Sequence, residues 1–383
     1  MESESTTPLP SWRRAVLKVG SALVAPERRG CSTKYLLALA RFVTESRHAG
    51  KEIVLVSSGA VAAGRSVQPD ASAPRTIPEK QALAAIGQPL LMAHWRRLFD
   101  FPCAQLLLTY DDLYHRTRFV NAKNTLAELL GRGVLPIVNE NDTVAVDELK
   151  VGDNDNLAAH VAVLADADLL VICSDVDGLY DADPHAHPNA TLIPVVDRID
   201  ERIHAVAGGT HRDTATGGMR TKVQAAEKAT ARGIDTVLVN GTKAAALDRL
   251  LAGRLDGTLF RGSDTPLSAR KYWMLHAVPS AGRLWVDAGA ARALREEGAS
   301  LLPSGITDVE GGFSDGEAVD VVTATDDGPR AVAKGITQYG SRDVRAIMGR
   351  HSAEIERILG HAHTDIVIHR DELVLVEDAH VGV

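Results

Sequence analysis

The sequence predicts an α/β protein: a three-layer αβα sandwich with a mainly parallel central sheet, followed by a small β-rich C-terminal domain. Short runs of Val, Leu and Ile alternate with stretches whose apolar residues recur at helical spacing. The runs are apolar on both faces, which is typical of strands covered by helices on both sides. Beyond Thr265-Pro266, periodic helices become fewer, and short strand-like pieces between glycine turns take their place.

The strands and helices of the first domain follow from these runs. A strand at 15–19 ends in a turn at Gly20. Leu36, Leu39 and Val43 then keep the spacing of an amphipathic helix. Further strands are predicted at 53–56, 105–109, 134–139, 168–173 and 236–239, and further helices at 121–130, 157–164 and 223–231.

The same patterns predict the domain boundaries. Residues 1–11 are rich in Ser, Thr and Pro and are expected to form a disordered tail. The predicted order continues with a first domain at 12–265, a linker at 266–280, a second domain at 281–370 and a C-terminal tail at 371–383. Strand-like pieces of the second domain lie at 284–286, 318–322, 330–334 and 366–368.

Composition and charge limit the classes of function. Hydrophobic residues make up 45% of the chain and charged residues 24%, an ordinary globular balance. The formal net charge of -8 weighs against nucleic acid as the main partner, because the whole molecule repels phosphodiester backbones. Three scattered cysteines provide neither a disulfide framework nor a zinc-binding pattern, and the first residues lack the features of a signal peptide. We therefore expect a cytoplasmic protein without a membrane span, since no apolar run approaches the ~20 residues that a span requires.

Two lysines lie where an anion could be bound. Lys18 lies within an apolar strand, where burial of its ammonium is costly unless it reaches a cleft or an anion. Lys222 follows a pair of glycines and opens a predicted helix. The spacing of this second run differs from GxxxxGK[ST], so a Walker A loop is excluded. A strand-end lysine such as Lys18 more often reaches solvent. The lysine-bearing loop before Lys222 is likewise a weak signal by itself.

A polar run at 152–156 precedes the helix predicted at 157–164. Asp153 and Asp155 within it repel one another, so we expect a cationic partner: an ammonium group, a lysine or a magnesium ion. A helix cap needs only one such residue, whereas this run contains five consecutive polar or glycine residues. A similar run at 139–142 follows another strand. These runs favour a functional site over a simple cap.

Small and hydroxyl-bearing residues follow two further strands. Ser58 and Gly59 open a strand-to-helix turn, where free N–H groups and the helix dipole favour an anion. Tight packing of the helix on the sheet accounts for the small residues equally well. Ser174 and Asp175 close another strand. Ligands of open α/β sheets bind beyond the carboxyl ends of the strands, so these positions are expected to meet in one cleft.

Together these motifs resemble the amino acid kinase family, and within it the members that phosphorylate glutamate. The resemblance spans nearly the whole first domain, and the runs 152–156 and 216–222 are its most specific parts. The second domain resembles a PUA domain. Ser174 replaces the threonine expected before the aspartate but keeps a hydroxyl. The other runs that carry the resemblance are 17–21, 56–64, 138–142, 150–156 and 174–180.

The resemblance implies transfer of the ATP γ-phosphoryl group to the side-chain carboxylate of L-glutamate, the first step of proline synthesis. It also implies Mg2+, a homo-oligomer (dimer or tetramer) and feedback inhibition by proline. A carboxylate nucleophile has a reference pKa of about 4.3 and is ionised at neutral pH, so no general base is needed. The obstacle is the approach of this anion to a triphosphate, which lysines and a magnesium ion counter.

The resemblance also implies roles for individual residues. Lys18 and Lys222 would lie on the phosphoryl path, with Asp155 orienting them. The metal ligands are left unassigned. The residues expected to hold glutamate are Ser58, Asp142, Asn154 and Asp153, the last of them near the substrate ammonium or the metal. The residues expected to hold the nucleotide are Lys18, Ser174, Asp175, Thr216, Gly217, Gly218, Met219, Arg220, Thr221 and Lys222.

Two other functions are compatible with the sequence. A related kinase would act on aspartate, N-acetylglutamate or a nucleoside monophosphate. The carboxylates of 152–156 suit a free α-ammonium, which an N-acylated substrate lacks. An RNA-binding protein is the alternative from another class, because PUA domains commonly bind RNA. Residues 281–370 carry 10 Lys and Arg against 14 Asp and Glu, so we predict negligible RNA affinity at physiological salt.

Overall fold

The protein, in a computed structural model, divides into two compact units, Met1–Pro266 and Leu267–Val383. No helix among the described residues is both long and apolar enough to cross a membrane. The structure describes residues 7–27, 30–68, 76–145, 154–184, 186–208, 218–264, 278–325, 328–360 and 364–376.

The first unit alternates strands and helices along the chain. Its strands are β1 (Thr7–Pro8), β2 (Arg14–Val19), β3 (Glu52–Ser57), β4 (Cys103–Leu108), β5 (Leu135–Glu140), β6 (Leu169–Ser174), β7 (Val195–Val196), β8 (Asp235–Asn240), β9 (Arg254–Leu255) and β10 (Gly257–Phe260). Its helices are α1 (Ser21–Val24), α2 (Leu36–His48), α3 (Ala60–Ser66), α4 (Ile77–Arg96), α5 (Tyr110–Tyr114), α6 (Arg116–Gly131), α7 (Asn154–Leu164), α8 (Glu201–Gly208), α9 (Met219–Thr230) and α10 (Ala244–Leu251).

Within the described ranges, the main sheet of this unit has eight strands in the order β4-β5-β3-β2-β6-β8-β10-β7. The pairs from β4 through to β8 are parallel, whereas β10 runs antiparallel to β8 and carries β7 parallel to itself. The predicted mainly parallel sheet is confirmed. The six predicted strands agree with the observed ones to within two residues at each end.

Side chains of β2 alternate between two helical layers, as strand geometry requires. Leu17 belongs to a core cluster that includes Leu39 of α2 and Leu250 of α10. Lys18 points to the opposite face, where it contacts Asp155 of α7. Helices therefore cover both faces of the sheet, and the predicted three-layer arrangement is confirmed. The charged side chain of Lys18 lies on the α7 face.

Helix α7 lies at the point in the chain after which strands are added on the other side of β2. Strands β3, β4 and β5 lie on one side of β2, whereas β6 and β8 lie on the other. The chain crosses between these halves through α7, which packs against β2, β3, β5 and β6. Ligands of open α/β sheets bind at such a switch point, beyond the carboxyl ends of the strands.

Several details of the first unit differ from the predictions. Helix α4 was not predicted because it is apolar on much of its surface and contains Pro89, so no amphipathic stripe marks it. The predicted helices begin three to five residues later than α6, α7 and α9, whose first turns are polar. The expected disordered tail at 1–11 is corrected in part, because Thr7–Pro8 pairs antiparallel with Arg254–Leu255. Residues 1–6 lie outside the described ranges.

The second unit is a separate β-rich domain, as predicted. Its described strands form one sheet in the order β12-β11-β13-β14-β15, and its core includes Leu284, Val321 and Val332. Its strands are β11 (Gly282–Val286), β12 (Ile306–Gly311), β13 (Ala318–Thr325), β14 (Gly328–Thr337) and β15 (Ile368–Leu375), and its helices are α11 (Ala288–Glu296), α12 (Ser341–Ile347) and α13 (Ile355–Leu359).

The last strand corrects the predicted start of a C-terminal tail at 371. Strand β15 continues to Leu375, and its buried residues Leu373 and Val374 pack in the sheet. The charged residues 370–372 interrupt the apolar pattern there, so the pattern predicted a strand only at 366–368. Strand β12 was not predicted because most of its side chains are exposed and two are acidic. The predicted linker lies mostly outside the described ranges.

Candidate active site

The carboxyl ends of the parallel strands bring polar side chains to one edge of the sheet. Lys18 lies near the end of β2 and Asn139 near the end of β5. Ser57 ends β3, Ser174 ends β6 and Asn240 ends β8. All five side chains are buried. Buried polar groups of this kind require partners, and the first turn of α7 provides several of them.

Asp155 in that turn brings the two predicted lysines together. Its side chain is fully buried, at 0% exposure, and Lys18 and Lys222 are 4% and 5% exposed. Lys18 Nζ forms an ion pair with Asp155 Oδ1, and Lys222 Nζ lies 3.1 Å from Asp155 Oδ2. Thr221 Oγ1 donates to the same Oδ2 at 3.2 Å. A buried carboxylate is stable only when paired and hydrogen-bonded, and these contacts meet that condition.

Asn154 connects the same turn to the other half of the sheet. Its Nδ2 lies 2.7 Å from Ser57 O, 3.0 Å from Ser58 Oγ and 2.8 Å from Asn139 Oδ1. Asn139 Oδ1 also accepts from the N–H of Glu140 at 2.9 Å. Two residues expected to hold one substrate, Ser58 and Asn154, are therefore in direct contact. Asn139 was not assigned a role from the sequence, although it begins the polar run at 139–142.

Gly59 allows the turn after β3 to approach the sheet closely. Its φ is +103°, a conformation that residues with side chains rarely adopt. A Cβ at this position would lie 2.8 Å from Cγ1 of Val24. The turn is therefore restricted to glycine, which keeps Ser58 next to Asn154.

Carboxylates gather beside the turn that follows β5. Burial raises the pKa of Asp142, and the ammonium of Lys80 partly opposes that rise. Burial also raises the pKa of Glu140, with a further rise from Asp142 and an opposing effect of Lys80. Gln81 of α4 donates to Ala145 O at 3.2 Å, which holds the start of α4 against this turn. Glu140 belongs to the polar run at 139–142 but was given no role of its own, and Lys80 was missed because α4 itself was not predicted.

The ends of β6 and β8 form the other side of the site. Ser174 Oγ donates to Asp175 Oδ1 at 3.1 Å. Asn240 Nδ2 donates to Asp177 Oδ1 at 2.8 Å, and Lys243 Nζ lies 2.6 Å from the same oxygen. Burial alone would raise the pKa of Asp177, but the hydrogen bonds from Lys243 and Asn240 outweigh it and lower the pKa. Asn240 and Lys243 were not singled out from the sequence, although they follow the end of a parallel strand.

The remaining predicted nucleotide residues open helix α9. Gly218 is its extended N-cap residue, and Met219, Arg220 and Thr221 form the turn that leads to Lys222. Asp153, Thr216 and Gly217 lie outside the described residues. No group of three or more His, Cys, Asp or Glu side chains suited to a metal ion is present in the part of the chain that the structure describes.

Comparisons with known proteins agree with this architecture. The model of the amino acid kinase family matches residues 13–240, and that of the PUA domain matches residues 282–359. A protein named glutamate 5-kinase from Salinibacter ruber is 66% identical over 374 residues, which is 97% of this chain and 99% of that protein. Proteins of the same name from Idiomarina loihiensis and Xanthomonas oryzae pv. oryzae are 53% and 51% identical, over 97% and 94% of this chain and 99% and 100% of theirs.

Among solved structures, a UMP kinase from Bacillus anthracis aligns with a TM-score of 0.46 and 12% identity, over 67% of this chain and 99% of that chain. The family match covers more than half of the chain, and the relatives extend over nearly all of it. The chain therefore belongs to the amino acid kinase family, and its kinase domain is followed by a PUA domain.

Proposed function

We propose that this kinase transfers the γ-phosphoryl group of ATP to the side-chain carboxylate of L-glutamate and forms L-glutamyl 5-phosphate. Relatives that match over nearly the full length of both chains bear the name glutamate 5-kinase. The structural observation that carries the proposal is the convergence of two buried lysines, Lys18 and Lys222, on Asp155. The amide of the preceding residue, Asn154, contacts the opposite half of the site.

The lysines address the main electrostatic obstacle of this reaction. A carboxylate nucleophile and a triphosphate are both anions, so their approach is unfavourable unless positive charge lies between them. Lys18 and Lys222 place two ammonium groups at one buried point, where charge acts more strongly than in water. Asp155 contacts both groups and fixes their directions before the substrates arrive. The glutamate carboxylate needs no general base, because it is already ionised at neutral pH.

The substrate side is assigned to the ends of β3 and β5. Ser58 and Asn154 provide a hydroxyl and an amide for the glutamate carboxylates, and Asp142 provides a negative charge for the α-ammonium. Glu140 adds a second acid beside Asp142. A free α-ammonium matches these acids better than an acylated nitrogen would, which favours glutamate over N-acetylglutamate. Asp153 is included in this side on the resemblance alone.

The nucleotide side is assigned to the ends of β6 and the start of α9. Ser174, Asp175 and residues 216–222 would hold ATP, with Lys222 reaching the phosphoryl group. A Mg2+ ion commonly binds through one or two carboxylates together with substrate phosphates. Of the described acids at this edge, Asp155 is already paired with lysines, whereas Asp175 is exposed and fits an ion carried by ATP. Such an ion would neutralise part of the phosphate charge.

The proposal includes the wider properties that the family resemblance implies. These are a place in proline biosynthesis, feedback inhibition by proline, a homo-oligomer of two or four chains and a cytoplasmic location. The domain limits proposed are 7–265 for the kinase and 281–375 for the PUA domain, because Thr7–Pro8 pairs with Arg254–Leu255 and β15 continues to Leu375. The first compact unit ends at Pro266, and the two family models match within these limits.

The activity is tested by trapping the acyl phosphate with hydroxylamine. The protein is incubated with ATP, Mg2+ and either L-glutamate, L-aspartate or N-acetyl-L-glutamate, and the hydroxamate is measured. We expect hydroxamate from glutamate at a rate well above that from the other two acids. A preference for aspartate or N-acetylglutamate would reject the assignment to glutamate, and absence of hydroxamate with all three would reject acyl phosphate formation.

A further inference from the structure

Three consecutive residues in the first turn of α7 each contact other elements of the first unit. Asn154 contacts the ends of β3 and β5, and Asp155 contacts Lys18 of β2 and Lys222 of α9. Asn156 binds α9 at a second point, because its Oδ1 accepts a hydrogen bond from Lys228 Nζ at 2.6 Å. Asn156 ends the polar run singled out in the sequence, yet the proposed reaction gives it no role.

The two lysines of α9 approach this turn from separate positions. Lys222 and Lys228 are six residues apart, which corresponds to about 9 Å along a helix axis. Their partners, Asp155 and Asn156, are adjacent in α7. The two side chains therefore converge on one turn from different points of α9. A shift of α9 along its axis in either direction would lengthen one of the two contacts, so together they fix its axial position.

The Asn156 side chain is costly to bury in this form. It is 0% exposed, and its Nδ2 has no hydrogen-bond acceptor among the described residues. A buried donor without a partner is destabilising, whereas an apolar side chain of similar shape would avoid this cost. Stability alone therefore does not account for an amide at this position. Its contact with the Lys228 ammonium is the feature that an apolar residue could not provide.

We propose that Lys228 and Asn156 are positioning residues for Lys222. Their hydrogen bond fixes α9 against the first turn of α7 and keeps the Lys222 ammonium on Asp155, in line with the phosphoryl path. The inference rests on the proposed function, since it assigns a purpose to the placement of Lys222. A displacement of about 1 Å in a catalytic group can lower the rate by about 100-fold, so a contact away from the reacting atoms can control turnover.

The test compares Lys228→Met, Asn156→Leu and the double variant with the unaltered protein. Methionine keeps an unbranched side chain without the ammonium, and leucine keeps a similar volume without the amide. We expect each single variant to lower kcat by about 100-fold. KM for glutamate should stay unchanged, because Asn154 and Asp142 keep their places. The double variant should lose no more kcat than either single one, since both remove the same hydrogen bond.

Two controls separate positioning from general stability. Glu227→Gln weakens the 3.3 Å contact of α9 with His204 of α8 and should leave kcat unchanged. Lys228→Arg keeps a donor that can reach Asn156 and should restore part of kcat. If a single variant fails to fold, the double variant decides, because apolar groups on both sides remove the unpaired buried polar group.

Recovery of kcat together with thermal stability in the double variant would overturn the proposal, since packing alone would then position Lys222. An unchanged kcat in Lys228→Met would also overturn the proposal. The same would follow if Glu227→Gln lowered kcat as much as Lys228→Met does. The unaltered protein is assayed with glutamate in the same experiment. Lack of turnover there would count against the proposed function instead, which keeps the two failures distinct.

Discussion

Lys222 Nζ lies 3.1 Å from Asp155 Oδ2, and both side chains are almost completely excluded from solvent. The other oxygen of the same carboxylate contacts Lys18, which belongs to a different layer of the first unit. The carboxylate of Asp155 thus sets the positions of two lysine ammonium groups that come from distant parts of the chain. Its loss would affect folding and catalysis together, whereas loss of a single lysine would affect them unequally.

Asp155→Asn should lower both stability and turnover. Removal of one partner from a buried ion pair typically costs about 3–5 kcal/mol in the free energy of unfolding, because the remaining charge loses its compensation. Urea denaturation measures this loss. Tripolyphosphate should stabilise the variant more than the unaltered protein, since an added anion can replace the missing carboxylate between the lysines. Equal stabilisation of both proteins would contradict this account of the lysine pair.

Lys222→Met should lower kcat by about 100- to 1,000-fold, the usual effect of removing one electrostatic stabiliser of a transition state. Its free energy of unfolding should fall less than that of Asp155→Asn, because Asp155 keeps its ion pair with Lys18. Steady-state kinetics and urea denaturation measure the two effects. Lys123→Met, which removes a half-exposed lysine paired with Asp166, is the control for loss of one positive charge. Unchanged turnover in Lys222→Met would reject its assigned role.

The raised pKa of Asp142 predicts a pH dependence of KM for glutamate. The ionised carboxylate is the form that binds an ammonium, so KM should rise as the pH falls through this pKa. Because burial raises the pKa above the ordinary aspartate range, the rise should begin at a higher pH than an exposed aspartate would give. In Asp142→Asn, KM should be higher and depend less on pH in that window, because Glu140 is then the acid that remains beside the ammonium. An unchanged pH dependence of KM in the variant would assign the effect to another group.

The same pKa predicts a gain in stability for Asp142→Asn. An acid whose pKa is higher in the folded state binds protons more tightly when folded, so it opposes folding at pH values above that pKa. The variant should therefore unfold at a higher temperature than the unaltered protein at pH 8. The difference should shrink as the pH falls through the folded pKa and vanish below the ordinary value of about 3.9. Thermal unfolding at several pH values checks the sign.

Gly87→Ala should separate α3 from α4. A Cβ on Gly87 would lie 1.8 Å from the carbonyl oxygen of Ala60, a backbone atom that moves only with its helix. Overpacking of this kind typically costs about 1–3 kcal/mol. Helix α3 begins just after Ser58, so KM for glutamate should also rise. Gly131→Ala in α6, where a new Cβ meets nothing within 4 Å, is the matched control and should not destabilise the protein.

Deletion of residues 270–383 should leave measurable kinase activity. The residues assigned to catalysis all lie in the first unit, and its described core cluster extends from Trp12 to Leu259. Loss of all activity in a folded truncated protein, shown by circular dichroism, would contradict this. If the truncated protein is active but no longer inhibited by proline, the PUA domain has a role in regulation. If it is active but forms a smaller oligomer, the PUA domain has a role in assembly.

The sequence predicted the positions of the site residues better than their partners. Lys18, Asp155 and Ser174 could be proposed as candidate site residues because each lies at a strand end or a helix start, where an α/β fold collects ligand-binding residues. The pairing of Asn156 with Lys228 could not be predicted, because it depends on how two helices that are far apart in the sequence pack against each other. Strand β10 was not predicted, and its antiparallel direction could not be predicted either, since an apolar run does not encode strand direction.

The change of direction at α7 has a consequence for how acceptor specificity evolves. The contacts proposed for the amino acid come mainly from one continuous stretch, 52–145, and those proposed for ATP mainly from another, 169–260. A recombination event that exchanged the first stretch could give the kinase a new phosphate acceptor while its donor machinery stayed intact. The short turn at 154–156 contacts residues of both halves, so a chimaeric enzyme would have to keep that turn compatible with each parent.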